Sequence, residues 1–169
     1  MDTPNKVVLK VNGKPILAKE FEKEKNLLIF ISESNGRALP SDTYVKNSLV
    51  KREALYQKAV ELGLEATDNE AREYANQLRA QFEKDDPNAT GKEMIEAEIK
   101  ATGLPVDQYW ENAIPEYKKI ITLNRLSDYY LKQLGPVDIK EPNNAIKIRQ
   151  FLDQKFDNIA KSTIVDTVE

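Results

Sequence analysis

Hydrophobic and polar residues alternate at the start of the chain. Val7, Leu9 and Val11 occupy every second position, which is the period of a strand with one buried face. The next two residues, Asn12-Gly13, suit the positive φ angles of a type I′ hairpin turn. Lys14 to Leu17 can then return as a second, antiparallel strand. The pattern therefore predicts an N-terminal β-hairpin.

A third strand is predicted near the other end of the chain. An isolated hairpin is barely stable in water, so it needs a further strand or a helix to cover it. The only other run rich in β-branched residues is Ser162–Val168. We therefore expect both ends of the chain to meet in one small antiparallel sheet that buries Ile164, Val165 and Val168.

Between these ends the apolar residues recur with the 3.6-residue period of a helix. The predicted helices are Lys19 to about Ser34, about Asp42 to Leu62, a third opened by the capping box Thr67-Asp68-Asn69-Glu70, a short fourth with Met94, Ile95 and Ile99, Val106 to Leu134, and a sixth from Pro142. Pro115 removes one backbone hydrogen bond from the fifth helix, so we expect a kink or a break near Ile114.

The pattern predicts a mainly α-helical fold, with about six helices and a small antiparallel sheet formed by the N-terminal hairpin and the C-terminal strand. A chain of 169 residues is long enough for one domain with a substantial core. We assign residues 1–6 to a flexible N-terminal tail and residues 7–169 to a single domain.

Composition excludes several kinds of chemistry. The chain has no cysteine and no histidine, which removes disulfides, thiol nucleophiles and histidine-assisted catalysis. Its net charge is −3 and its lysines are interleaved with glutamates, so we expect no nucleic-acid partner. The glycines are isolated from one another and form no phosphate-binding loop. We expect no metal, no cofactor and no catalytic residue.

Clustered carboxylates leave one enzymatic alternative open. Asp85-Asp86, Glu93, Glu96 and Glu98 lie close together in the sequence, and paired carboxylates can perform acid–base hydrolysis. The simpler interpretation is that they are surface charges and acids that complement the positive end of a helix dipole.

Several segments, taken in order, resemble the SurA/PrsA family of extracytoplasmic chaperones. The similar segments are the strand and Asn12-Gly13 turn followed by Pro15-Ile16 and Lys19-Glu20-Phe21, then Val50–Ala59, Leu62-Gly63-Leu64, Thr67–Ala71, Thr102-Gly103-Leu104, Tyr109-Trp110 and Ile159–Val165. Together they cover nearly the whole chain.

The resemblance implies a chaperone that binds unfolded or partly folded exported proteins. It further implies an extracytoplasmic location, in the periplasm or at the outer face of the cell membrane, as a secreted protein or a lipoprotein tethered through a removed N-terminal segment. Most family members insert a parvulin-type prolyl isomerase domain before the last helix. Here only Gly135 to Asn143 lies at that point, whereas a domain needs at least about 50 residues. We therefore expect no isomerase and no enzymatic activity.

A chaperone that holds unfolded clients needs an uncovered apolar surface with a polar rim. Tyrosine and tryptophan offer large contact areas, and methionine adapts to varied shapes. The candidate client-binding residues are Tyr109, Trp110 and Tyr117 around Pro115, together with Phe82, Met94, Phe30 and Tyr130. The same residues at helical spacing also suit a closed core, and the sequence leaves both interpretations open.

Two further alternatives concern the partner. The chain could serve one dedicated assembly or regulatory partner instead of many unfolded polypeptides. The run Leu27 to Ile31 has five consecutive apolar residues, more than one helix face buries against a single neighbour. It is therefore either enclosed on several sides or used in a homodimer.

Overall fold

The computed structural model describes residues 3–84, 91–138 and 140–168 and is mainly helical, as predicted. Its elements are β1 Val7–Val11, β2 Lys14–Leu17, α1 Ala18–Ser34, α2 Asp42–Glu61, α3 Asp68–Glu83, α4 Lys92–Thr102, α5 Val106–Leu134, α6 Pro142–Lys161 and β3 Val165–Thr167. A single 3₁₀ turn, Thr3–Asn5, precedes β1.

Both ends of the chain meet in one antiparallel sheet with the strand order β2-β1-β3, which confirms the prediction. Asn12 and Gly13 have φ angles of 49° and 82°, the two positive values that the predicted turn requires. On the other side of β1, Val11 lies opposite Val165. The Asn12 N–H donates to the Ile164 carbonyl at 2.8 Å, and the Ile164 N–H donates to Asn12 Oδ1 at 2.9 Å.

The predicted burial of the third strand is wrong. Ile164 is 67% exposed, and Val165 and Val168 are each 39% exposed. The central strand β1 is buried instead, with Leu9 and Val11 at 2% and 0% exposure. β3 is an edge strand whose main contacts are with β1, so the helices cover its side chains less than those of the central strand.

Helix α5 crosses Pro115 without a break. Pro115 cannot donate to the carbonyl of Glu111, and both residues lie on the exposed side of the helix. Water can therefore satisfy that carbonyl, and a helix packed along its length against α3 and α2 tolerates the loss. Of the kink or break expected near Ile114, the break is therefore not present.

Within the described part of the chain, three hydrophobic cores hold the helices together. The sheet core joins β1, β2 and α2, and its buried members are Leu9, Val11, Ile16, Val45, Leu49 and Ala54. The α3–α5 core joins α3, α4 and the first half of α5, and its buried members are Ala71, Ala75, Ile95, Tyr109, Trp110 and Tyr117. The α6 core joins α2, α5 and α6, and its buried members are Leu55, Ala59, Leu126 and Tyr130.

Candidate functional site

A cleft of about 330 Å³ lies between the sheet core and the α3–α5 core. One wall comes from β2, α1 and α2, and its apolar residues are Ile16, Leu27 and Leu49. The other wall comes from α3, α4 and α5, and its apolar and aromatic residues are Tyr74, Leu78, Met94, Ile95, Tyr109, Tyr117 and Ile120. Most of the lining surface is apolar. This cleft is the strongest candidate for a binding site in the described residues.

Three of the seven candidate client-binding residues line the cleft: Met94, Tyr109 and Tyr117. The other four lie elsewhere. Trp110 and Phe82 pack within the α3–α5 core, Tyr130 belongs to the α6 core, and Phe30 is half-buried on α1. A role of the seven residues in client binding stays a prediction.

Trp110 lies behind the tyrosine wall of the cleft. It is 4% exposed, and its ring centroid is 5.4 Å from that of Tyr109, 6.4 Å from that of Tyr117 and 6.0 Å from that of Phe82. Its indole N–H is buried and has no hydrogen-bond acceptor among the described residues. Trp110 therefore supports the two tyrosines from the core side.

The tyrosine hydroxyls give this wall a neutral polar component. Burial, reinforced by the neighbouring Glu98 carboxylate, raises the pKa of Tyr109. Burial likewise raises the pKa of Tyr117 to about 12. The Tyr109 hydroxyl donates to Glu98 Oε2 at 2.7 Å. Both phenols therefore stay protonated at neutral pH and add no charge to the wall.

An ion-pair network joins the two walls. Arg52 of α2 contacts Glu24 Oε2 of α1 at 3.2 Å and Glu116 Oε2 of α5 at 2.8 Å. The Ser48 hydroxyl donates to Glu24 Oε1 at 2.7 Å, and Lys23 lies 3.7 Å from Glu116. Although burial favours the neutral acid at Glu116, the Lys23 and Arg52 cations lower its pKa below the ordinary value.

A second network surrounds Glu53, whose side chain is only 3% exposed. Lys14 of β2 lies 2.8 Å from Glu53 Oε1, and Lys119 of α5 lies 3.8 Å from Oε2. The Gln57 amide donates to Glu53 Oε1 at 3.1 Å and to the Val11 carbonyl at 3.0 Å. The buried charge is therefore compensated from three elements, and α5 is tied to the sheet side of the cleft.

Among the carboxylates of the predicted hydrolase alternative, the three that the structure describes do not share one paired site. Glu93 and Glu96 are exposed, Glu98 lies in the cleft, and Asp85 and Asp86 lie outside the described residues. In the part of the chain that the structure describes, no group of three or more acidic side chains could hold a metal ion. The lowered pKa of Glu116 is opposite to the raised value that a general acid needs.

Sequence reasoning missed the non-aromatic walls of the cleft and both networks. Leu27, Leu78 and Ile120 fall on ordinary apolar helix stripes, and nothing in the stripe distinguishes a cleft wall from a closed core. Arg52 and Glu116 are 64 residues apart, and no local pattern identifies them as partners.

No family model matches the chain, and no curated protein matches it. The similarity to the SurA/PrsA chaperones therefore stays a hypothesis that rests on the sequence segments quoted above. None of the helices within residues 3–84, 91–138 and 140–168 has the length and apolar character needed to cross a membrane.

Proposed function

We propose that this protein binds unfolded or partly folded exported polypeptides in the cleft between the sheet core and the α3–α5 core, without covalent chemistry. The observation that supports the proposal is the mainly apolar cleft of about 330 Å³. Ligand clefts in proteins commonly measure ~300–1,000 Å³. A cleft at the small end of this range suits a few side chains of an extended segment, and it is too small for a folded partner.

The wall residues suit clients of varied sequence. Met94 is half-buried on α4, and its unbranched thioether can fit side chains of different shapes. Tyr109 and Tyr117 add flat aromatic faces with polar tips. The ion pair between Arg52 and Glu116 fixes α2 against α5 beside the cleft, so these walls need little reorganisation when a segment binds.

The assignment to exported clients and to an extracytoplasmic location rests on the resemblance to the SurA/PrsA family. The alternative of one dedicated partner differs from this proposal in the range of proteins that are bound. A general chaperone suppresses the aggregation of unrelated unfolded proteins, whereas a dedicated module protects only its partner. The two alternatives are distinguished with two unrelated test enzymes. Each enzyme is unfolded in guanidinium and diluted into a solution of this protein, and its aggregation is followed by light scattering.

The cleft itself is tested by Leu27→Gln with Met94→Gln, which makes both walls more polar at nearly constant volume. We expect this double variant to lose most of the suppression of aggregation that the unchanged protein provides. Ile146→Gln is the matched control, because Ile146 lies on α6, is 56% exposed and does not line the cleft. Equal suppression by the double variant and the control, at similar melting temperatures, would contradict the proposal.

A further inference from the structure

Most of the charges that line the cleft are paired within the protein. Among the described residues the lining contains five carboxylates and three cations, which are Glu20, Glu24, Glu53, Glu98, Glu116, Lys23, Arg52 and Lys119. All three cations form ion pairs with Glu24, Glu53 or Glu116. Glu20 and Glu98 are different, because within the described residues neither lies within ion-pair distance of a lysine or an arginine.

Neutral groups hold these two carboxylates in place. Glu20 Oε2 accepts the Leu17 N–H at 2.9 Å, at the start of α1. Glu98 Oε2 accepts the Tyr109 hydroxyl at 2.7 Å. In each carboxylate the Oε1 atom has no donor among the described residues. Each side chain is therefore oriented by one oxygen and keeps the other available for a ligand.

The two carboxylates belong to different walls. Glu20 lies on α1, which packs on α2 and the hairpin, whereas Glu98 lies on α4, which packs on α5. Both side chains are half-buried beside apolar residues, where a charge interacts more strongly than in bulk water. The cleft thus combines apolar walls with a negative charge on each side.

We propose that the cleft selects extended segments in which a lysine or an arginine lies among apolar residues, and that the cationic side chain binds Glu20 or Glu98. This inference rests on the proposed function and names the class of client. A segment with an acidic residue at the same position would be repelled by both carboxylates. A wholly apolar segment would bury them further without supplying a partner, which costs binding free energy.

Three peptides test the preference. They share one extended apolar sequence with blocked ends and a neutral fluorophore, and they differ only in a central lysine, glutamine or glutamate. Fluorescence anisotropy should show the lysine peptide binding about five- to tenfold more tightly than the glutamine peptide, as expected for one or two partly exposed ion pairs. The glutamate peptide should bind most weakly. High salt should reduce these differences.

Paired variants locate the preference. Glu20→Gln with Glu98→Gln removes both charges but keeps an oxygen that can accept from the Leu17 N–H and the Tyr109 hydroxyl. We expect its ratio of lysine- to glutamine-peptide affinity to fall to about one, at an unchanged circular dichroism spectrum. Glu22→Gln with Glu96→Gln changes the charge on the same two helices, at exposed positions outside the cleft lining. This control should keep the preference for lysine.

Equal affinity for the three peptides, or an equal loss of preference in both double variants, would overturn the inference while leaving the proposed function intact. Absence of binding by all three peptides would instead overturn the proposed function and the inference together. If the Glu20 and Glu98 double variant has an altered spectrum, the single variants are measured in its place. The inference then fails if neither single variant reduces the preference.

Discussion

Replacing Trp110 with alanine should strongly destabilise the protein. Trp110 is 4% exposed and packs against the rings of Phe82, Tyr109 and Tyr117. Truncation of a core tryptophan costs about 3–5 kcal/mol in the free energy of unfolding. In a chain of this size each kcal/mol lowers the melting temperature by about 2–4 °C, so we expect a fall of about 6–20 °C.

Trp110→Phe should be much milder. The indole N–H has no acceptor among the described residues, so phenylalanine removes a buried donor that is not hydrogen-bonded. Removing such a group recovers about 1–3 kcal/mol, which offsets part of the packing lost with the smaller ring. We expect the phenylalanine variant to lie within about 2 kcal/mol of the unchanged protein.

The free energy of unfolding of both variants is measured by urea unfolding. The signal is far-ultraviolet circular dichroism, because both variants lack the one tryptophan of the chain and its fluorescence. Tyr44→Ala is the control for an exposed aromatic residue, since Tyr44 is 59% exposed on α2 and surface changes usually cost less than about 0.5 kcal/mol. If Trp110→Ala is as stable as Tyr44→Ala, the assignment of Trp110 to the core is refuted. Trp110 would then be accessible to clients and would suit the role of a binding anchor.

Three further predictions concern the sheet, the ion pairs and self-association. Deleting residues 164–169 should cost at least about 1–3 kcal/mol in chemical unfolding, because the two hydrogen bonds to Asn12 are lost together with the pairing of β3 on β1. An unchanged midpoint would show that β3 contributes nothing. The lowered pKa of Glu116 means that its ionised form stabilises the fold above the ordinary value of 4.5, and that this contribution is lost as the pH falls through the lowered pKa. Glu116→Gln should therefore be less stable than the unchanged protein at neutral pH and equal to it in acid, and a constant difference in urea midpoint across that range would exclude the ion pair as the cause. Within the run Leu27–Ile31 only Ile31 is exposed, at 39%, and the other four side chains are half-buried, so light scattering should report a monomer. A dimer that Ile31→Glu dissociates would contradict this.

Local signals predicted the boundaries of most elements. At the start of α3, the Thr67 hydroxyl accepts the Glu70 N–H at 3.2 Å and Glu70 Oε2 accepts the Thr67 N–H at 2.7 Å, as the capping box requires. The hydrogen bonds that Glu70 accepts from Thr67 and Arg125 lower its pKa to about 2, so the carboxylate of the capping box is ionised at neutral pH. Caps and tight turns depend on a few neighbouring residues, so their physics can be recognised in the sequence.

Tertiary contacts could not be predicted from such local signals. Lysines and glutamates are interleaved throughout the helices. The pattern alone therefore does not distinguish a buried ion pair from a solvated surface charge. Only the packing of α1, α2 and α5 brings Glu24, Arg52 and Glu116 into contact. The same limit applies to Trp110 and Met94, since an aromatic or a methionine on a helical stripe fits a core as well as a cleft.

The position of β1 between β2 and β3 has a consequence for the order of folding. The hairpin forms between neighbouring residues, whereas the hydrogen bond from Ile164 to Asn12 closes a separation of 152 residues. Closing a flexible loop of that length costs roughly 4 kcal/mol from its length dependence alone. Docking of α6 on α2 and α5 accounts for most of this entropic cost, because it already brings the C-terminal end of the chain close to the hairpin. Pairing of β3 with β1 then closes only a short segment. During synthesis the sheet must therefore remain two-stranded until the last helix has left the ribosome.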